Sequence, residues 1–207
     1  MDGTSGGRLV CGKPLEDCLN LIESFHGWKA PGLVLGLFMV DWARERIGPQ
    51  VEADAIVESR HCLPDAIQLF TPCTVGNGWL KILDWDKFAL SLYDRHSLQG
   101  CRVWLDLQKA MAFPSLYGWY MRLIPKKELP LDVLLEVILR ADRSVLSIQP
   151  IQMTDLFRRT KKGEITICPT CNEAFAVEQG ERCAACRGDA YYQFHEATFE
   201  YPFVETK

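Results

Sequence analysis

Near its C-terminus the chain reads CPTCNEAFAVEQGERCAAC, which sets Cys168, Cys171, Cys183 and Cys186 in two C-x2-C pairs with eleven residues between them. Two residues between cysteines let both thiolates face one ion from a tight turn, and two such turns close a tetrahedral set. Pro169 stiffens the first turn, and the FAV segment between the pairs suggests a short hairpin ending at Gly180. Four thiolates leave no open coordination position, so the chemistry expected is a structural zinc, one per chain; an iron–sulfur or rubredoxin-type iron site is the rival. The tail holds too little apolar matter to fold alone, so the ion is expected to supply its stability.

A second group of reactive side chains lies far upstream. His26 stands at an elbow, ESFHGWKAPGLVLG, where one helix pattern ends at Gly27 and Pro31 opens another. The free N–H groups at such a helix start favour an anion or a thiolate. His26 there is a ligand, a catalytic base, or a helix-end histidine held by hydrogen bonds. Cys62 precedes the pattern LPDAIQLF, a position that can depress a thiol pKa and make it a nucleophile. Cys73 stands before the turn-rich run Thr74-Val75-Gly76-Asn77-Gly78, whose backbone can approach a ligand. The default for each of these cysteines is a buried, inert thiol. A full helix between Cys62 and Cys73 would separate them by roughly 10–14 Å.

The elements that must position these residues follow from periodicity. Leu15, Leu19, Ile22 and His26 recur at helical spacing, so residues 14–26 read as an amphipathic helix with Pro14 at its start. Residues 31–47 read as a helix whose first half, apolar all round, belongs in a core. AIVES reads as a strand and PDAIQLF as a short helix, with Asp65 favouring its dipole. WLKIL and FALSLY alternate as strands about a turn at Asp84-Trp85-Asp86, and CRVWLDL reads as a third. PSLYGWYMRLI and residues 131–141 read as helices, and SVLSIQPI as a strand. The result is an α+β core of helices packed on a mostly antiparallel sheet. The basic run RRTKKG reads as a solvated hinge. It divides residues 1–157, the core, from residues 158–207, a treble-clef or zinc-ribbon module with an aromatic arm: Tyr192, Phe194, Phe199, Tyr201 and Phe203. Such an arm is expected to pack on a core or on a partner protomer.

Composition narrows the function. The 207 residues are 48% apolar with a net charge of −4, enough for a sizeable core and no electrostatic invitation to nucleic acid. From residue 158 on, seven Lys and Arg face eight Asp and Glu, so the zinc module offers no basic footprint. No apolar run is long enough to span a bilayer, and nine cysteines, an odd number, suit thiols and metal ligands in a reducing cytoplasm.

The motifs FHGxxxPGLxLG, C-x2-DAIQ-x4-CT-x-G-x-G and the later YDR, with the double C-x2-C extension, resemble the formylmethanofuran dehydrogenase E-subunit family over residues 13–190. The resemblance implies an α+β core with a Cys/His site, an auxiliary treble-clef zinc finger and a homodimer. It also implies a molybdenum or tungsten oxidoreductase as partner, or a place in one-carbon or thiol metabolism. His26, Cys62 and Cys73 match family positions. The family's elbow commonly reads His-Gly-His-x-Cys-Pro-Gly; here Trp28 and Ala30 replace the second histidine and the cysteine, and Asn77 replaces a typical lysine. Trp28 is then expected as an apolar wall of a pocket shared by His26 and Cys62. Two functions remain: chemistry at that pocket, with Cys62 as nucleophile and His26 as base, or a non-catalytic assembly adaptor with a degenerate core site.

Overall fold

A computed structural model describes residues 8–154 and 163–192, and the chain divides into two compact units, Met1–Phe157 and Arg158–Lys207. Most of the basic hinge, His195 and the arm residues Phe194, Phe199, Tyr201 and Phe203 lie outside the described residues.

The core unit opens with two short strands, β1 (Leu9–Val10) and β2 (Lys13–Pro14), closed by Cys11 and Gly12 at φ 52° and 77°. Helix α1 (Leu15–His26) follows and ends at Gly27, whose φ of 89° stops it. Helix α2 (Pro31–Ile47) buries Pro31 to Val40 without a break, as its unbroken apolar sequence requires. Strand β3 (Ala53–Val57), helix α3 (Leu63–Phe70) and strand β4 (Leu80–Ile82) come next. Strands β5 (Ala89–Asp94) and β6 (Gln99–Leu105) form a hairpin. Helices α4 (Leu107–Ala110), α5 (Pro114–Tyr120) and α6 (Leu131–Ala141) lead to β7 (Leu146–Gln152).

The five strands lie in the order β4-β3-β5-β6-β7, antiparallel throughout except for β3 with β4. The α+β class follows, and one expected pairing does not. WLKIL and FALSLY suggest a hairpin about Asp84-Trp85-Asp86, yet β4 runs parallel to β3 on one side while β5 pairs with β3 on the other. The crossover through α3 makes β3 and β4 parallel. The supposed turn is instead a strap across the end of β3, where the N–H groups of Trp85 and Lys87 both donate to the Glu58 carbonyl. Helix α5 also ends earlier than the apolar run suggests. Arg122 adopts φ 57°, and the chain turns back so that Leu123 and Ile124 donate to the Gly118 carbonyl.

One sheet face, including Ala55, Val57, Leu90, Leu92, Cys101 and Val103, is buried in the same cluster as the apolar side of α2. Helix α3 lies unusually close to α2. A Cβ on Gly36 would sit 2.8 Å from the Ala66 Cβ and 3.2 Å from Leu63, and one on Gly32 would sit 2.9 Å from the Cys62 Sγ. Gly32 and Gly36 thus let α3 dock through Cys62, Leu63 and Ala66. Gly36→Ala gains about 1 kcal/mol of helix propensity but overlaps a backbone-anchored methyl, at a cost of about 1–3 kcal/mol. We expect a net loss of stability in chemical denaturation; a variant as stable as the parent would contradict this packing.

Candidate functional site

In the C-terminal unit, β8 (Ile165–Ile167) pairs with β9 (Ala174–Ala176). The hairpin expected between the two cysteine pairs is therefore placed differently. The FAV segment pairs backward with the strand before Cys168, so the first C-x2-C turn is itself the hairpin tip. Cys168 N donates to Glu173 O, Asn172 N donates to Cys168 O, and Asn172 takes φ 60°. The second pair is held by Arg187 N donating to Cys183 O at 3.2 Å. The four Sγ atoms of Cys168, Cys171, Cys183 and Cys186 lie within 4.8 Å of one another. Among the described residues no other group of three or more His, Cys, Asp or Glu converges in this way.

The electrostatics fit a cation. Backbone N–H groups, first that of Cys183 and then that of Cys171, pull the Cys168 thiol down to about 6. The Cys183 thiol, then burial and the remaining thiols, push Cys186 up to about 12. Four crowded thiols cannot all ionise on their own, and a divalent ion at their centre removes the conflict. The set is closed, so the zinc it holds is structural.

Two of the upstream residues, Cys62 and His26, are set at the first turn of α3. Cys62 is the central residue of a γ-turn: φ is 58°, ψ is −47°, and Leu63 N donates to His61 O at 2.6 Å. Positive φ is uncommon for a residue with a side chain, and this turn is strained. The Cys62 thiol packs against Gly32 in the first turn of α2, with the Phe88 ring beside the same point. Phe88 in turn meets Tyr120 edge-to-face at 5.9 Å. Within the first turn of α3, the Asp65 carboxylate lies 2.8 Å from His26 Nδ1. The Trp28 ring, 47% exposed, stands 6.1 Å from that of His26.

Two expectations need correction. The start of α3 is expected to depress the Cys62 pKa; instead burial, and then the charge of Asp65, push it up. Desolvation opposes the thiolate and outweighs the end of a short helix. Cys73 does not join the group. It is buried, and its Sγ donates to the carbonyl of Ala53 at the far end of β3, beyond the C-terminal end of α3. The glycine loop is closed on itself: Asn77 Oδ1 accepts from Thr74 N and Trp79 N, and its Nδ2 donates to Pro72 O. Two cavities of about 360 and 330 Å³ lie elsewhere, the first beside Arg46 and Gln149, the second beside Cys11 and Arg44. Sequence reasoning gave Asp65 only a helix-dipole role. An acid at the third helical position was the available signal; the γ-turn at Cys62 had none.

Residues 25–155 match the family described as FmdE, Molybdenum formylmethanofuran dehydrogenase operon. The chain belongs to this family. A second match, to the FmdE treble clef zinc finger, covers residues 159–193 and takes in the four zinc cysteines. The crystal structure of a tungsten formylmethanofuran dehydrogenase FmdE-like protein from Syntrophus aciditrophicus is 39% identical with a TM-score of 0.83, covering 90% of this chain and 99% of that one. A probable S-adenosyl-L-methionine-binding protein of Archaeoglobus fulgidus is 27% identical over 209 residues, 82% of this chain and 52% of that protein. The chain therefore spans about half the length of this curated relative. This FmdE member sets His26 and Cys62 at one end of α3 and carries Trp28 and Ala30 at the elbow, with Ala30 buried at the start of α2. Among its described residues no helix is long and apolar enough to cross a membrane.

Proposed function

We propose that this FmdE-family protein binds a small ligand at the elbow through Cys62 and His26. It acts beside a molybdenum or tungsten oxidoreductase, or in one-carbon or thiol metabolism, in the cytoplasm and as a homodimer. The observation that carries the reading is the γ-turn at Cys62. A residue at a helix N-cap ordinarily serves the helix, and Cys62 makes no capping bond. It holds a strained backbone and points its thiol at the start of a neighbouring helix. Strain retained at a reactive side chain supports a functional site. Burial keeps the thiol protonated near neutrality, so a nucleophilic Cys62 needs a base, the role this reading gives to His26. The zinc module serves assembly in this reading: Ile165, Ile167 and Tyr191 stand exposed on it, an apolar surface suited to a partner.

A second reading, the non-catalytic adaptor, is favoured by Trp28 and Ala30, which remove two ligands from the elbow. One experiment addresses the site. Zinc content is measured in the parent, in Trp28→His/Ala30→Cys, and in that variant carrying Cys62→Ser. We expect one zinc in the parent, a second in the double variant, and loss of the second with Cys62→Ser. A folded double variant with a single zinc would overturn the elbow as a ligand site. If Cys62→Ser alone leaves the protein's cellular role intact while Cys168→Ser abolishes it, the adaptor reading prevails.

A further inference from the structure

We propose that Asp65 is the positioning residue of the elbow: by accepting the Nδ1 proton of His26 it fixes the tautomer that presents Nε2, with its lone pair, to a ligand at Cys62. The inference rests on the reading of the elbow as a ligand site and adds to it the atom of His26 that acts and the residue that selects it.

The geometry supports this from several directions. The Asp65 Oδ2 to His26 Nδ1 distance is 2.8 Å, across 39 residues of sequence. His26 Nε2 bonds to none of the described residues, so the ring has one engaged and one available nitrogen. Asp65 is the third residue of α3, the position from which an acidic side chain can reach back to the N-cap backbone. It turns to His26 instead, and the N-cap residue Cys62 makes no side-chain cap either. Both positions that ordinarily close a helix start are directed at the elbow. Stability does not explain the choice, because both side chains are more than a quarter exposed, where ion pairs contribute little. A carboxylate behind one ring nitrogen sets which nitrogen faces a reacting group or a metal.

The test reads the tautomer directly. The protein has four histidines, so ¹⁵N-labelled samples at about pH 8, where an ordinary imidazole is neutral, allow the His26 ring to be assigned. We expect the Nδ1–H form in the parent, a shift of the majority to Nε2–H in Asp65→Ala, and return of Nδ1–H in Asp65→Glu, with the melting curve of the core unit unchanged. An Nε2–H ring in the parent, or a ring unmoved in Asp65→Ala, overturns the positioning role. Should Asp65→Ala fail to fold, the parent and Asp65→Glu spectra decide alone. These results are separable from the zinc experiment: a tautomer that follows Asp65 in a protein whose double variant takes no second zinc keeps this role and removes the ligand reading.

Discussion

Cys168→Ser is expected to release the zinc and unfold residues 163–192 while the core unit keeps its melting transition. The reason lies in how little else holds that module. Among its described residues only Cys168 and Phe175 are buried. Its secondary structure is one hairpin of three-residue strands and two short turns of 3₁₀ helix. A two-stranded hairpin is marginal in water, whereas a structural zinc site contributes on the order of 10–16 kcal/mol near neutral pH. Loss of one thiolate removes most of that, and no core remains to compensate. Serine is a poor ligand, but Cys171→His supplies one that zinc accepts in such sets, so that variant should keep the metal. Elemental analysis with circular dichroism reads both outcomes. Full zinc stoichiometry in Cys168→Ser would show that the four thiols are not the ligand set.

The second large effect is expected in the core sheet. Glu58, with its side chain 7% exposed, receives two bonds from Arg102, Nε to Oε1 at 2.6 Å and Nη2 to Oε2 at 2.7 Å. Arg102 also lies over the Trp104 ring, 5.3 Å from its centroid. The Glu58 bonds hold the Arg102 pKa above its ordinary value. Arg102→Met fills much of the same space but leaves the buried carboxylate alone. Breaking a buried pair from one side costs about 3–5 kcal/mol, while replacing both partners is often close to neutral. We therefore expect a large loss in Arg102→Met and recovery of most of it in Glu58→Leu/Arg102→Met. Denaturant titrations of the two variants beside the parent test this. A loss under about 1 kcal/mol, the range of a surface pair, would mean that Glu58 is effectively solvated.

The zinc ligands were legible because their chemistry is local. Each C-x2-C pair closes within one turn, so spacing alone states which thiols can share an ion. The helices were legible for a similar reason: the buried run from Pro31 to Val40 and the spacing of Leu15, Leu19 and Ile22 are properties of neighbouring residues. The strands were legible as segments but not as pairs. Nothing in WLKIL says that it lies parallel to AIVES, because that depends on where α3 delivers the chain.

The elbow shows the same division at the level of single residues. Its sequence marked His26 and Cys62 as residues able to do chemistry and Trp28 as an apolar wall beside them. Tertiary structure decided which of them meet. The approach of α3 to Gly32 seats the Cys62 thiol, and the Asp65–His26 bond joins two helices across 39 residues. Cys73, equally reactive on paper, is removed to the other end of α3. The direction of the Cys62 pKa was decided there too, because burial depends on every element packed around the thiol. Contacts between segments distant in the chain carry no periodic or spacing signal, and a strained turn such as that at Cys62 persists only where the surrounding packing holds it.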